Sequence, residues 1–363
     1  MSGDLLLVGP LAHPAMLAAL GLTGLPETVG GVLRGGARAG IEAGGWPALA
    51  PGAGRIEAAR VAPDPALWRY AAVMGLTPVD HPAGRLMGVL PDGAPQDAAP
   101  FDIDRWPADL AAEIARLILD TPGEHAPEAV ARRLPMIGVW AASRLRGRAS
   151  PPSGGDVVAP RGADDVRLLA RREPFAGFFA TEVWDLSHRR HDGGFTPPIK
   201  REGFISGDAV VMLPWDPVRD RVLAIEQFRL SPALRHDPQP WLLEPVAGRV
   251  DAGETVEDAA RREALEEAGL RIGRLFPAIH HYPSPGMLGE YLYLYVGIAD
   301  LPDGIAGIHG LAGEDEDIRG HLLDRRKLLR MALDGQIANG PLAMIALWLH
   351  AERDRLLAEL SPG

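Results

Sequence analysis

The chain has 363 residues, a formal net charge of −11 with histidine neutral, and no cysteine. That length accommodates two domains of ordinary size, and the acidic balance argues against a nucleic-acid footprint, which needs clustered basic charge. The lack of cysteine excludes disulfides, thiolate catalysis and Cys-ligated zinc, and fits a reducing cytoplasm.

The opening residues, MSGDLLLVGPLAHPAML, lack a basic flank, and Gly9-Pro10 and Pro14 interrupt their apolar run. They do not read as a signal peptide. No run of about eighteen apolar residues occurs, so no membrane span is expected. Within residues 1–148, Leu5 to Val8 reads as a buried strand and His13 to Leu20 as a helical stretch. Strand-like runs broken by Gly and Pro continue to about Leu90. Trp106 to Leu119 then has amphipathic helical spacing, and Pro127 to Leu145 reads as one further helix. His13 and His81 are isolated and read as surface or core residues rather than ligands.

Residues 149–165, rich in Pro, Gly and Ser without periodicity, read as a linker, and a second domain is expected over 166–363. Strands are expected at Thr181 to Ser187, Ala209 to Leu213, Val222 to Phe228, Trp241 to Val246 and Tyr291 to Ile298. Asp192-Gly193 supplies a hairpin turn. Helices are expected at Arg325 to Leu333 and Leu342 to Leu360, separated by Asn339-Gly340-Pro341. Strands flanking one short helix, with helices after them, give an α/β/α sandwich around a mixed sheet.

That short helix lies in Gly248 to Leu270, GRVDAGETVEDAARREALEEAGL. Gly253 marks a turn, Thr255 and Asp258 have capping-box spacing, and Gly269 suits a left-handed helix stop. At about 100° per residue, Glu263, Glu266 and Glu267 share roughly a third of the helix circumference. Carboxylates so close repel, so either one stays protonated or cations sit among them. Oxygen ligands of this kind suit Mg²⁺ or Mn²⁺. The bland alternative is a solvated acidic helix face.

The segment resembles the Nudix box, Gly-x5-Glu-x7-Arg-Glu-U-x-Glu-Glu-x-Gly-U, with U a bulky aliphatic residue. Gly248, Glu254, Arg262, Glu263, Glu266, Glu267, Gly269 and Leu270 match, and Ala264 is the weak position. The flanks are similar to bacterial ADP-ribose pyrophosphatases: FAGFF at Phe175, LPWDPVRD at Leu213, IEQFR at Ile225, PWLLEPVAG at Pro240, SPG at Ser284 and GIHGLAGEDEDIR at Gly307. The resemblance implies Mg²⁺-dependent cleavage of ADP-ribose to AMP and ribose 5-phosphate. It implies metal ligation by Glu263, Glu267, the Ala247 carbonyl and Glu316, with Glu266 an additional ligand. It makes Glu254 and Arg262 an orienting pair and Glu314 the candidate general base. Phe178 and Arg201 would sandwich adenine, Arg229 would clamp phosphate, Gly248 would let backbone approach the phosphates, and Glu290 would contact ribose or metal-bound water. In this family a homodimer places the adenine contacts in trans. The competing expectations are a diphosphatase for another nucleotide sugar and a ligand sensor without turnover.

The first region carries a second resemblance. LLLVGPLAHPAMLAAL followed by GGWPALAPGAG looks like the opening of a gamma-glutamylcyclotransferase-type small α+β barrel. Where that family has a Tyr-Gly-Ser/Thr-Leu loop, this chain has Val8-Gly9-Pro10-Leu11, and Pro10 removes a backbone donor. The resemblance therefore implies a barrel without that activity. Such a region ahead of a Nudix domain resembles TrgB-type tellurite-resistance proteins, a phenotype label that fixes no chemistry.

Overall fold

The computed structural model describes residues 3–91, 98–121, 123, 125–310 and 317–361. Contacts divide the chain into two compact units. The first comprises Met1–Ser206 with Asp251–Gly253, and the second Gly207–Val250 with Glu254–Gly363.

In the first unit, strand β1 (Leu5–Val8) is wholly buried, as expected of a four-residue apolar run. It leads into helix α1 (Pro14–Ala19) and strands β2 (Leu25–Arg34) and β3 (Ala48–Val61). Helix α2 (Pro65–Val73) precedes strands β4 (Val79–His81) and β5 (Gly84–Met87). These strands form one sheet in the order β2-β3-β1-β5-β4, with β1 antiparallel to β3 and parallel to β5. Among the described residues the path is open, ending at β2 and β4, and does not close into a barrel.

Helices α3 (Ala108–Asp120), α4 (Pro127–Ala131) and α5 (Leu134–Ala149) follow. The single helix expected over Pro127 to Leu145 is thus two helices. Pro135 has no N–H for the Ala131 carbonyl, and its ring crowds that turn, so the first helix stops and a new one starts with Pro135 in its first turn. Leu5, Leu7, Met16, Trp46, Tyr70 and Ile114 lie in the core between sheet and helices.

Residues 150–162 are exposed and carry neither helix nor strand. Beyond them β6 (Val166–Ala176), β7 (Ala180–His188) and β8 (Ile199–Ile205) pair antiparallel in that order. The β7–β8 connection contains the expected turn, with Gly193 at φ 93°. By contact these strands belong with the first unit. Ala180, Phe179 and Ile205 pack into its core. Arg133 on the α4–α5 junction holds Glu173 through two hydrogen bonds of 2.9 and 3.2 Å. Buried Glu182 takes Arg171 at 2.6 Å and Trp184 Nε1 at 2.6 Å. Buried Glu113 on α3 takes Arg148 through both oxygens, at 2.9 and 2.8 Å.

The second unit is built on β9 (Ala209–Asp216) and β10 (Arg221–Phe228), which pair only next to their connecting turn. Short helix α6 (Leu230–Leu234) leads to β11 (Trp241–Glu244), which pairs with β10. After Pro245, β12 (Val246–Arg249) pairs with β9 instead. The two short strands therefore fill the wedge where β9 and β10 diverge. Helix α7 (Val256–Ala268) comes next, then β13 (Leu275–Pro277), β14 (Leu288–Gly289), β15 (Leu292–Ile298), β16 (Ile308–His309) and β17 (Ile318–Asp324). Helices α8 (Arg325–Leu333) and α9 (Gly340–Leu360) end the chain. The main sheet runs β13-β15-β9-β10-β17-β16 and is mixed, because β15 is parallel to β9 while the other pairings are antiparallel.

Side chains of a strand alternate between faces, and β9 shows what each face meets. Val210 and Met212 join the cluster containing Ala259, Ala260, Ala264 and Ala268 of α7. Val211, Leu213 and Trp215 join the cluster containing Leu328 of α8 and Leu342, Ile345 and Leu349 of α9. The result is the expected α/β/α sandwich, and it lays α7 across the wedge strand β12.

Candidate active site

Helix α7 starts where its cap chemistry directs. The Thr255 hydroxyl accepts the Asp258 N–H at 3.1 Å. The helix stops at Gly269, at φ 63°, with Leu270 N–H reaching back to the Ala264 carbonyl at 2.9 Å. Four alanines turn its apolar face to the sheet. Small residues there let the helix lie close to the strands.

The carboxylates of α7 meet the backbone of β12. Glu267 is 3% exposed, and its Oε2 accepts the Ala247 N–H at 2.9 Å. A strand residue directs its N–H and C=O to the same edge. The Ala247 carbonyl therefore faces the edge of β12 that carries Glu267, away from β9. One residue on, a Cβ at Gly248 would fall 1.8 Å from Glu263 Oε1. A side chain there would have to displace the Glu263 carboxylate, so Glu263 keeps this position only against a glycine.

Arg262 is the hub. Its guanidinium donates to both oxygens of Glu254, each at 3.0 Å, to Glu263 at 2.7 Å, to Glu266 at 3.1 Å and to the Arg249 carbonyl at 3.0 Å. The Glu254 hydrogen bonds hold its pKa above the ordinary arginine value, against the opposing effect of burial, and the charge of Glu263 adds to them. The expected orienting pair, Glu254 and Arg262, is thus in contact. Arg262 also reaches the helix neighbour Glu266 at i,i+4 spacing.

Glu263, Glu266, Glu267, Ala247 and Gly248 are therefore brought to one place. Their donor chemistry is oxygen alone, the class that suits Mg²⁺ or Mn²⁺. In this arrangement Arg262 is the cation among the acids. Glu263 turns to it and Glu267 turns to a backbone N–H, and no group of three or more acidic or histidine side chains stands in metal-holding geometry among the described residues. Glu314 and Glu316 lie outside the described residues.

Arg229 follows β10 directly. Its Nε and Nη2 donate to one oxygen of buried Glu244, at 2.9 and 2.7 Å. Asn339 Nδ2 donates to the other oxygen at 3.2 Å. Glu244 went unassigned in the sequence although it sits inside the PWLLEPVAG stretch. A buried glutamate at the end of an apolar strand, just before a proline, was the available signal. Glu290 is half-buried between β14 and β15. His280, also unassigned, accepts the Leu294 N–H through Nδ1 at 3.0 Å and packs against Tyr293 and Tyr295. Tyr295 in turn donates to Glu257 of α7 at 2.9 Å.

Phe178 and Arg201 belong to the first unit. Phe178 is 60% exposed and packs edge-on to Phe179, at 4.9 Å between centroids. Arg201 is exposed on β8, opposite Trp184 of β7.

Comparison with known proteins agrees with this construction. A family model described as the NUDIX domain matches residues 206–333. ADP-ribose pyrophosphatase of Escherichia coli (strain K12) is 41% identical over 198 residues, covering 54% of this chain and 94% of that protein. The Haemophilus influenzae protein of the same name is 37% identical over 188 residues, covering 51% and 86%. GDP-mannose pyrophosphatase of Salmonella arizonae is 30% identical over 168 residues, covering 46% and 85%. Carboxylates gathered on one helix face, locked by one arginine to a glycine-bearing strand, define a Nudix hydrolase site, and the chain belongs to the Nudix family.

Proposed function

We propose that this Nudix hydrolase cleaves the pyrophosphate bond of ADP-ribose in a Mg²⁺-dependent reaction, releasing AMP and ribose 5-phosphate. The observation that carries the reading is the Arg262-centred carboxylate array against Gly248. The 41% identity to an ADP-ribose pyrophosphatase across nearly all of that protein's length supports the substrate.

Glu263, Glu267 and Glu266, with the Ala247 carbonyl and Glu316, would hold Mg²⁺, or Mn²⁺ in its place. A divalent metal supplies charge neutralisation at the diphosphate and acidifies a bound water. Glu314 serves as the base that takes the proton of the attacking water. Arg262 holds Glu254, Glu263 and Glu266 in relation to one another. Arg229 holds phosphate oxygens with the guanidinium edge that Glu244 orients, since a guanidinium can pair two such oxygens. Gly248 offers bare backbone to the phosphates, and Glu290 contacts ribose or metal-bound water. Phe178 and Arg201 take the adenine between a ring face and a cation.

The active form is a homodimer in the cytoplasm. Support comes from β6, an edge strand on which Val166, Leu168, Leu169 and Phe175 are all exposed. An edge of that length and apolarity is a template for pairing with another chain. Residues 1–148 act as a scaffold without cyclotransferase activity. Pro10 and Leu11 are buried and Leu33 packs against Gly9, so the loop where the related family has its tyrosine is filled with apolar contacts.

The test is hydrolysis of ADP-ribose with and without Mg²⁺ by the wild type and by Glu267→Gln. Metal-dependent AMP release by the wild type alone is expected; none from the wild type sinks the reading. The resemblance to a GDP-mannose pyrophosphatase supports a second reading, a different nucleotide sugar. Comparing kcat/KM for ADP-ribose, ADP-glucose and GDP-mannose separates the two.

A further inference from the structure

A recess of about 430 Å³ between α8 and α9 is lined by Arg325, Arg326, Leu329, Arg330, His350, Arg353 and Asp354. Its charge is unusual for a chain of net charge −11. Four of the lining residues are arginines; the carboxylates that reach Arg325 and Arg353 are Asp220 and Asp354, and Arg325 Nη1 also lies 3.5 Å from His350 Nδ1. Asp220 sits in the β9–β10 turn at φ 48° and accepts Arg325 Nε and Nη2 at 2.7 and 3.0 Å. It also takes Arg353 at 3.4 Å. Asp354 takes Arg353 at 3.1 Å but is almost fully exposed, so that contact is heavily screened. Arg326 and Arg330, one helical turn apart, make no ion pair among the described residues.

The arrangement is not explained by the stability of α8. Arg326 lies in the first turn, a poor place for a cation, where the Asp324 cap takes the Lys327 N–H at 2.9 Å and the turn itself holds no further acidic residue. Arg326 and Arg330 repel each other at i,i+4 spacing. Arg325 is buried, and Asp220 fixes both it and Arg353. The recess is thus lined by Arg325 and Arg353, which Asp220 fixes, and by the exposed Arg326 and Arg330, so that it carries more positive charge than Asp220 and Asp354 cancel.

We propose that this recess binds a phosphate dianion, either free or as the terminal group of a phosphomonoester. Guanidinium groups match two phosphate oxygens at a time and are weakly hydrated, so several converging on one cavity select phosphate over chloride. The site uses no residue of the carboxylate array and stands independently of the reaction proposed above.

The test is calorimetric titration of the whole chain in EDTA, so that no metal draws phosphate to the α7 carboxylates. Inorganic phosphate and glycerol 3-phosphate are compared with chloride at matched ionic strength, for the wild type and for R326Q/R330Q. Both substitutions are at exposed positions, so the variant keeps its fold and its hydrolytic activity. Saturable binding by the wild type is expected, weakened about tenfold or more in the variant through loss of two charge-assisted contacts. Binding of both probes assigns recognition to the phosphate group itself. Binding of only one identifies the source as free phosphate or as ester. Heats no larger than with chloride, or affinity unchanged in the variant, would overturn the proposal.

Discussion

The carboxylate of Glu263 occupies the space in which a side chain at residue 248 would begin: a Cβ on Gly248 would lie 1.8 Å from Oε1 and 2.0 Å from Cδ. The helix and the wedge strand are therefore in contact through an acid and a bare backbone. Gly248→Ala is expected to push Glu263 aside while leaving the sandwich intact. A displacement of about 1 Å at a reacting group can cost about a hundredfold in rate. Steady-state hydrolysis with unchanged circular dichroism checks this; a drop in folded fraction that accounts for the whole loss would count against it.

Glu267→Gln separates charge from shape. The glutamine carbonyl can still accept the Ala247 N–H, so the melting temperature should stay close to wild type without metal. Added Mg²⁺ should stabilise the wild type and not the variant, because a ligand stabilises only the state that binds it. Equal metal-induced shifts in melting temperature would remove Glu267 from the ligand set.

Arg262→Gln leaves Glu254, Glu263 and Glu266 without their shared cation. A cost of about 1–2 kcal/mol is expected, since hydrogen bonds to charged groups are worth more than neutral ones but about a third of this side chain faces water. Urea midpoints measure it. The deficit should shrink when Mg²⁺ takes over neutralisation of the acids, and a deficit insensitive to metal would argue against that exchange.

Two groups of side chains set the acid limit of stability, in different windows. Burial acts to raise the carboxyls of Glu113 and Glu182, but the Arg148 and Arg171 guanidinium groups hold both below the ordinary glutamate value. Such groups stabilise the fold fully above about pH 4.5 and lose that contribution as pH falls further. Glu182→Gln should flatten the dependence of melting temperature on pH below about 4.5.

His280 works in a higher window. Burial lowers its pKa, so the folded chain resists its protonation. Stability is then complete above about pH 6.5 and declines as pH falls below it, because the unfolded chain takes up the proton more readily. Asn at 280 can accept the Leu294 N–H without titrating. His280→Asn should remove the decline between pH 7 and 5, and an unchanged slope would assign it elsewhere.

Much of the second unit was legible because local rules and global packing coincide there. The Thr255 cap, the Gly269 stop and the carboxylate spacing all describe one helix, and the structure has it at Val256–Ala268. The strand expected at Ala209 to Leu213 is likewise present, and its unbroken apolar run fits a strand covered on both faces. What escaped was set by distant partners. Nothing local shows that Glu244 will hold Arg229 and Asn339, because those residues come from a strand end and a helix start far apart in sequence. The helix break at Arg132-Arg133 was written in Pro135, and apolar periodicity masked it. The packing of β6 to β8 within the first unit involves Arg133 and Arg144 finding the buried acids Glu173 and Glu182, which composition alone does not reveal.

The strand exchange at Pro245 fixes the length of the segment as well as its path. Glu244 is in register with Ile225 on β10, and Val246 with Met212 on β9. Only two residues separate Glu244, which orients Arg229, from Ala247, which meets Glu267. A single inserted residue would turn every following side chain of β12 to the opposite face, carrying the 248 position away from Glu263. This short stretch therefore tolerates changes of side chain at some positions but no change of length, whereas the connections at the rim of the same sheet can lengthen without touching the array.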